Sequence, residues 1–117
     1  MEDRLLKMTG KAIQFRDARD WEQFHDPENL AEAICIESGE LLEKYLWVTT
    51  DNSRDIDSKK LEEIKEEIAD IMIFLIYLCH GLNIDLAQAV ENKIKINEKK
   101  YPIEKAKGSS KKYKEFI

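Results

Sequence analysis

The stretch from Ile68 to Leu78 most constrains the fold, because it is apolar on nearly every side of a helical wheel and carries one charge, Asp70. At about 100° per residue, Ile71, Leu75 and Leu78 form one stripe, whereas Met72, Ile73 and Ile76 lie well away from it. A helix that is apolar nearly all round needs cover on all sides. The chain has no run of about 18 apolar residues, so the cover is not lipid and no membrane span is expected. In 117 residues the cover has to come from a few neighbouring helices and, we expect, from further copies of the chain. A homo-oligomer is therefore the expected state.

The rest of the sequence supplies such helices. Only four Gly and two Pro punctuate it, and no period-two alternation competes with the helical spacing. A first helix is predicted over roughly Asp3 to Ala18. Asp26-Pro27-Glu28 then reads as a helix start, with Asp as cap and Pro in the first position, opening a second helix that runs to about Trp47. Thr49 to Asp57 is polar and reads as a loop. Ser58 is expected to cap a third helix that continues through Leu78 and stops near Gly81. Asn83 or Asp85 starts a fourth, which ends before Tyr101-Pro102 because a residue preceding Pro avoids the helical region. The Lys-rich segment from about 102 is predicted to be irregular. The whole, residues 1–117, is read as one all-α domain built on a four-helix bundle.

Composition narrows the function classes. The net charge is −5, yet from Lys93 onward there are nine Lys against three acidic residues, so the body is acidic and the end basic. An acidic body with few aromatics among its C-terminal lysines is a poor nucleic-acid binder, and no nucleic-acid partner is expected. The start, Met1-Glu2-Asp3-Arg4, has no apolar core and no signal peptide is expected. Cys35 and Cys79 lie inside helical patterns without a CxxC spacing. They read as small hydrophobes in a reducing cytoplasm.

Two acidic pairs stand out. Glu37 and Glu40 on the second helix, and Glu67 and Asp70 on the third, are spaced i, i+3, which puts each pair on one helix face. With Glu37 at zero, Leu30, Leu41 and Ile34 fall within roughly 20–60° of it, and Leu78, Ile71 and Ile64 do the same around Glu67. Both therefore sit on the edge of an apolar stripe. Glu66 points away from it, and Glu63 falls in line with Glu67. Carboxylates beside a buried face need a cation or a metal. Four carboxylates without histidine suit Mg²⁺, or Mn²⁺, and a metal shared with phosphates. A salt-bridged helix pair in a non-catalytic interaction or regulatory module explains the same spacing. A di-iron bundle does not, because it requires two inward Glu-x-x-His motifs and the chain offers one, Glu22 to His25.

The pattern Glu37-x-x-Glu40, then Glu67-x-x-Asp70, resembles the metal-binding signature of the MazG-type all-α nucleotide pyrophosphohydrolases. The stretch Arg19-Asp20-Trp21-Glu22-Gln23-Phe24-His25 and the later Lys99-Lys100-Tyr101-Pro102 are similar to the dCTP pyrophosphatase subgroup. The resemblance implies Mg²⁺-dependent hydrolysis of nucleoside triphosphates to the monophosphate and pyrophosphate, as in house-cleaning of dNTPs. It implies that Glu37, Glu40, Glu67 and Asp70 hold the metal and serve catalysis. It places Trp21, His25, Trp47 and Phe74 around the nucleoside, and Lys93, Asn97 and Tyr101 toward the phosphates or base. The subgroup often carries His where this chain has Ala12, and Tyr where it has Phe74. Both departures fall in the implied pocket, so base or sugar preference is expected to differ there.

Overall fold

The computed structural model describes residues 3–115, so Met1, Glu2, Phe116 and Ile117 of the expected domain lie outside the described residues. Those described are helical, with turns and connections and no strand among them. Helix α1 (Arg4–Ala18) opens on Asp3, whose side chain accepts the Leu6 N–H at 3.1 Å. Helix α2 (Pro27–Glu43) opens at Asp26-Pro27, as the spacing predicts, although the Asp26 side chain makes no capping bond.

Three expectations about helix ends are corrected. Helix α2 stops at Glu43 rather than near Trp47. Its last residues pass into i→i−3 bonding, Tyr45 N–H to Leu42 at 3.0 Å and Leu46 N–H to Glu43 at 3.1 Å, and Trp47 has φ of 65°. A right-handed helix cannot contain that backbone. Helix α3 (Ser58–Gly81) is capped by Asp57, not Ser58. Asp57 holds extended backbone and accepts the Lys60 N–H at 2.8 Å, and its full negative charge favours the helix N-terminus. Helix α4 (Leu86–Lys100) begins after Asp85 and ends before Tyr101-Pro102, both as expected. Beyond it the chain is not irregular throughout. Pro102 leads into a short helix α5 (Ile103–Ala106), and a tight helical turn spans Tyr113–Glu115.

The chain divides into two compact units, one through Asn83 and one from Ile84. In the first, α3 packs against α2 along much of its length and touches α1 over a shorter stretch. Leu30, Ile64, Ile76 and Tyr77 form the buried apolar centre. No residue from Ile71 to Cys79 is exposed, yet most are only half-buried, so one chain does not cover α3 on every side. Ile68 on α3, and Ile36, Leu42 and Leu46 on or just after α2, lie open at 54–72% exposure. No single helix among the described residues is long and apolar enough to cross a membrane.

The cap assignment has a direct consequence. Asp57→Ala should cost about 0.5–2 kcal/mol of stability, whereas Ser58→Ala should cost a few tenths of that. Denaturant titration of both variants followed by circular dichroism measures the difference.

Candidate metal centre

Packing α2 against α3 brings the two acidic pairs together. Glu37, Glu67 and Asp70 each present a carboxylate oxygen, and the three atoms lie within 4.8 Å of one another. Glu40 adjoins them, acting on both Glu37 and Glu67 through hydrogen bonding and charge. Glu37 Oε2 and Glu67 Oε2 are buried without a hydrogen-bond partner among the described residues. Buried acceptors of that kind are costly unless something cationic or protic reaches them. Glu37 responds by holding its proton: burial first, then Glu40, then the charge of Asp70, push its pKa up from 4.5 to about 7. Burial and Glu40 raise Glu67 as well, with Lys44 pulling the other way. Lys44 lies 3.9 Å from Glu63. Orphaned oxygens, all-carboxylate donors and mutual repulsion fit a hard divalent cation.

Asp70 also lines a cavity of about 650 Å³ between α1, α3 and the connection after α1. Met8, Ala12 and Phe15 face it from α1, and Ile73, Phe74 and Tyr77 from α3. Trp21 and His25 reach it from the connection, which folds back tightly on the end of α1. Asp20 turns the chain with φ of 54°, the Trp21 N–H donates to Arg16 at 3.2 Å, and Gln23 Nε2 donates to the Asp20 carbonyl at 3.0 Å. Trp21 meets Phe15 edge to face at 5.7 Å, and the Arg19 guanidinium covers Phe15 at 3.7 Å. Buried Arg16 pairs with its neighbour Asp17 at 2.8 Å and reaches the connection through Glu22 at 3.6 Å.

Of the residues expected around a nucleoside, Trp21, His25 and Phe74 meet at this cavity. Trp47 does not. It is 93% exposed, because α2 ends early and the left-handed turn carries the indole into the open. Lys93, Asn97 and Tyr101 belong to the second unit. Lys93 and Asn97 are exposed on α4, while Tyr101 follows its last residue and sets its ring edge-on to Tyr113 at 6.1 Å. Sequence reasoning missed Tyr77 and Arg16. A tyrosine in an apolar run reads as core filling, and an arginine near a helix end reads as solvated. The one available signal for Tyr77 was its hydroxyl, which needs a partner once buried.

The chain is similar to known proteins over most of its length. The profile of the MazG-like family matches residues 33–116. The chain is 38% identical to dCTP pyrophosphatase 1 of Homo sapiens over 105 residues, covering 88% of this chain and 62% of that protein. Its counterpart in Mus musculus is 38% identical over 102 residues, covering 86% of this chain and 60% of its own length. The chain thus spans about three fifths of the curated relatives it matches. A crystal structure of a pyrophosphatase from Archaeoglobus fulgidus superposes with a TM-score of 0.82 at 37% identity, covering 87% of this chain and 95% of that one. With the acidic pairs, the helical scaffold and these matches in agreement, the chain belongs to the MazG-like family.

Proposed function

We propose that this protein hydrolyses nucleoside triphosphates to the monophosphate and pyrophosphate, with Mg²⁺ as the metal and Mn²⁺ as a substitute. The observation that carries the reading is Asp70, which belongs at once to the carboxylate cluster and to the wall of the aromatic cavity. A substrate with a base in the cavity would therefore bring its phosphates toward the carboxylates. At about 650 Å³ the cavity falls within the range of small-ligand sites. Glu37, Glu40, Glu67 and Asp70 would hold the ion, and one of them would orient the attacking water. A divalent ion there lowers the pKa of water and neutralises charge developing on the phosphate oxygens. The apolar walls offer a base contact surface, and Trp21 an indole face for stacking.

The names of the relatives support deoxynucleotides, dCTP among them, as substrates and a house-cleaning role. Lys93, Asn97 and Tyr101 enter the proposal by resemblance, as groups for the phosphates or base. The open apolar residues of α2 and α3 support a homo-oligomer, which the resemblance makes a dimer or tetramer; a place in the cytoplasm enters as a proposal from the sequence alone. Light scattering should give a mass of at least twice 13.7 kDa, and a stable monomer would overturn the assembly.

Glu37→Gln and Glu67→Gln should each lower Mg²⁺-dependent pyrophosphate release by at least about 10–100-fold, the loss typical of changes even one layer outside a metal site. Helical content should be unchanged. A non-catalytic module tolerates both changes, so retention of pyrophosphate release in the variants, or its absence in the unaltered protein across all NTPs and dNTPs, sinks the hydrolase reading.

The cluster also sets a pH dependence. Because the folded protein holds the Glu37 proton to about pH 7 and an unfolded chain releases it near 4.5, folding binds a proton between those values. The associated stability is complete at low pH and is lost as the pH rises through about 7. In chelator, the melting temperature should fall between about pH 5 and pH 8, and Glu37→Gln should flatten that fall. Added Mg²⁺ should raise the melting temperature more at the alkaline end, since the ion competes with the proton.

A further inference from the structure

Tyr77 is 4% exposed and lies at the back of the cavity. Its hydroxyl donates to the Ala12 carbonyl of α1 at 3.0 Å, across 65 positions of sequence. Its ring lies 4.8 Å from the His25 imidazole, the two planes 31° apart, and Phe74 meets it edge-on at 6.3 Å. The Arg16 guanidinium sits 5.9 Å from the ring centre. The phenol is thus fixed at its tip, face and edge.

His25 has no such framework of its own. It follows a single helical turn, Glu22–Phe24, and its backbone is held by one bond, the N–H to the Glu22 carbonyl at 3.0 Å. Its Nδ1 is buried without a hydrogen-bond partner among the described residues, in a cavity whose walls are mostly apolar. Burial and the charge of Arg16 lower the His25 pKa, so the ring is neutral near pH 7 and Nδ1 can serve as a single acceptor or donor. One rotation about the side-chain bonds would move that atom out of the cavity wall. The Tyr77 face opposes the rotation.

We propose that Tyr77 is a positioning residue for nucleoside recognition, acting through His25. It transmits the rigid α1–α3 framework to the loop-borne imidazole and so fixes the place at which one polar edge of the base or sugar is read. Preorganisation of this kind lowers the cost of binding without touching the reacting phosphates. The inference rests on the pyrophosphohydrolase reading above.

The test is steady-state hydrolysis of dCTP by the full chain with Mg²⁺, comparing the unaltered protein, Tyr77→Met, Tyr77→Phe, His25→Ala and the two double variants. Methionine fills the volume without a ring face. Tyr77→Met should raise KM about tenfold with kcat within about twofold, the signature of lost uniform binding. Tyr77→Phe, which keeps the face and loses the tether, should raise KM about threefold. In the His25→Ala background both changes should shrink to less than about twofold, because residues acting through one another are non-additive. The same KM rise in both backgrounds, or a fall in kcat at constant KM, overturns the proposal. If Tyr77→Met does not fold, the Phe pair alone decides by the same comparison. Absence of dCTP turnover with turnover of another nucleotide moves the test to that substrate. Absence of turnover on every nucleotide overturns the hydrolase reading, and this inference with it.

Discussion

The repulsion among the carboxylates of α2 and α3 is the constraint around which the first unit is organised. Glu37, Glu67 and Asp70 are held within 4.8 Å of one another by the same packing that buries Leu30 and Ile64. Separating the helices would relieve the charge and expose the apolar centre, so burial keeps the charges together. The molecule meets the cost locally. Glu37 retains a proton to about pH 7, Lys44 draws on Glu67, and two buried oxygens stay unpartnered among the described residues. A cluster that is poor for stability in isolation is the arrangement a hard cation requires.

The second constraint is the connection between α1 and α2. Seven residues from Arg19 to His25 must present an indole and an imidazole to one cavity without a helix to hold them. Backbone curvature at Asp20, the buried Arg16 with its two carboxylates, and the Phe15–Trp21–Arg19 stack supply the rigidity. The carboxylates that Arg16 meets are exposed, so solvent screens each pair and neither is strong alone. Together the contacts restrain the segment as far as Glu22, and His25 at its end rests on the Tyr77 ring. That is how a cavity wall can be made from a connection rather than a helix.

Much of this was legible before the fold was known, because the helical wheel is a physical statement. It placed Glu37 and Glu67 on the edges of apolar stripes, and the structure finds both half-buried with Glu66 exposed. Asp26-Pro27 marked a helix start because proline's fixed backbone angle and missing donor suit that place alone. What failed were competitions between near-equal local choices. Asp57 and Ser58 are both competent caps, and the one with the full charge and extended backbone prevails. Nothing in Tyr45-Leu46-Trp47 forbids a helix, so the left-handed turn at Trp47 had no local signature. Tyr77 was unreadable for a different reason. Its partners, Ala12 and His25, are supplied by segments more than fifty residues away.

Ala12 and Phe74, where the resemblance leads one to expect His and Tyr, take on a meaning once Tyr77 is in view. All three line the cavity, and the Tyr77 hydroxyl ends on the Ala12 carbonyl while its ring packs against Phe74. Alanine at 12 contributes no polar side-chain atom to the wall, and phenylalanine at 74 no hydroxyl. The Tyr77 hydroxyl is spent on the backbone of α1. Polar readout from this part of the wall therefore falls to His25, whose Nδ1 is unpartnered among the described residues. A pocket with few polar groups discriminates weakly against added apolar substituents, and strongly against a ligand that leaves its one buried polar atom unmatched. Selectivity in such a site depends on where that atom is held, and so on the phenol ring behind it.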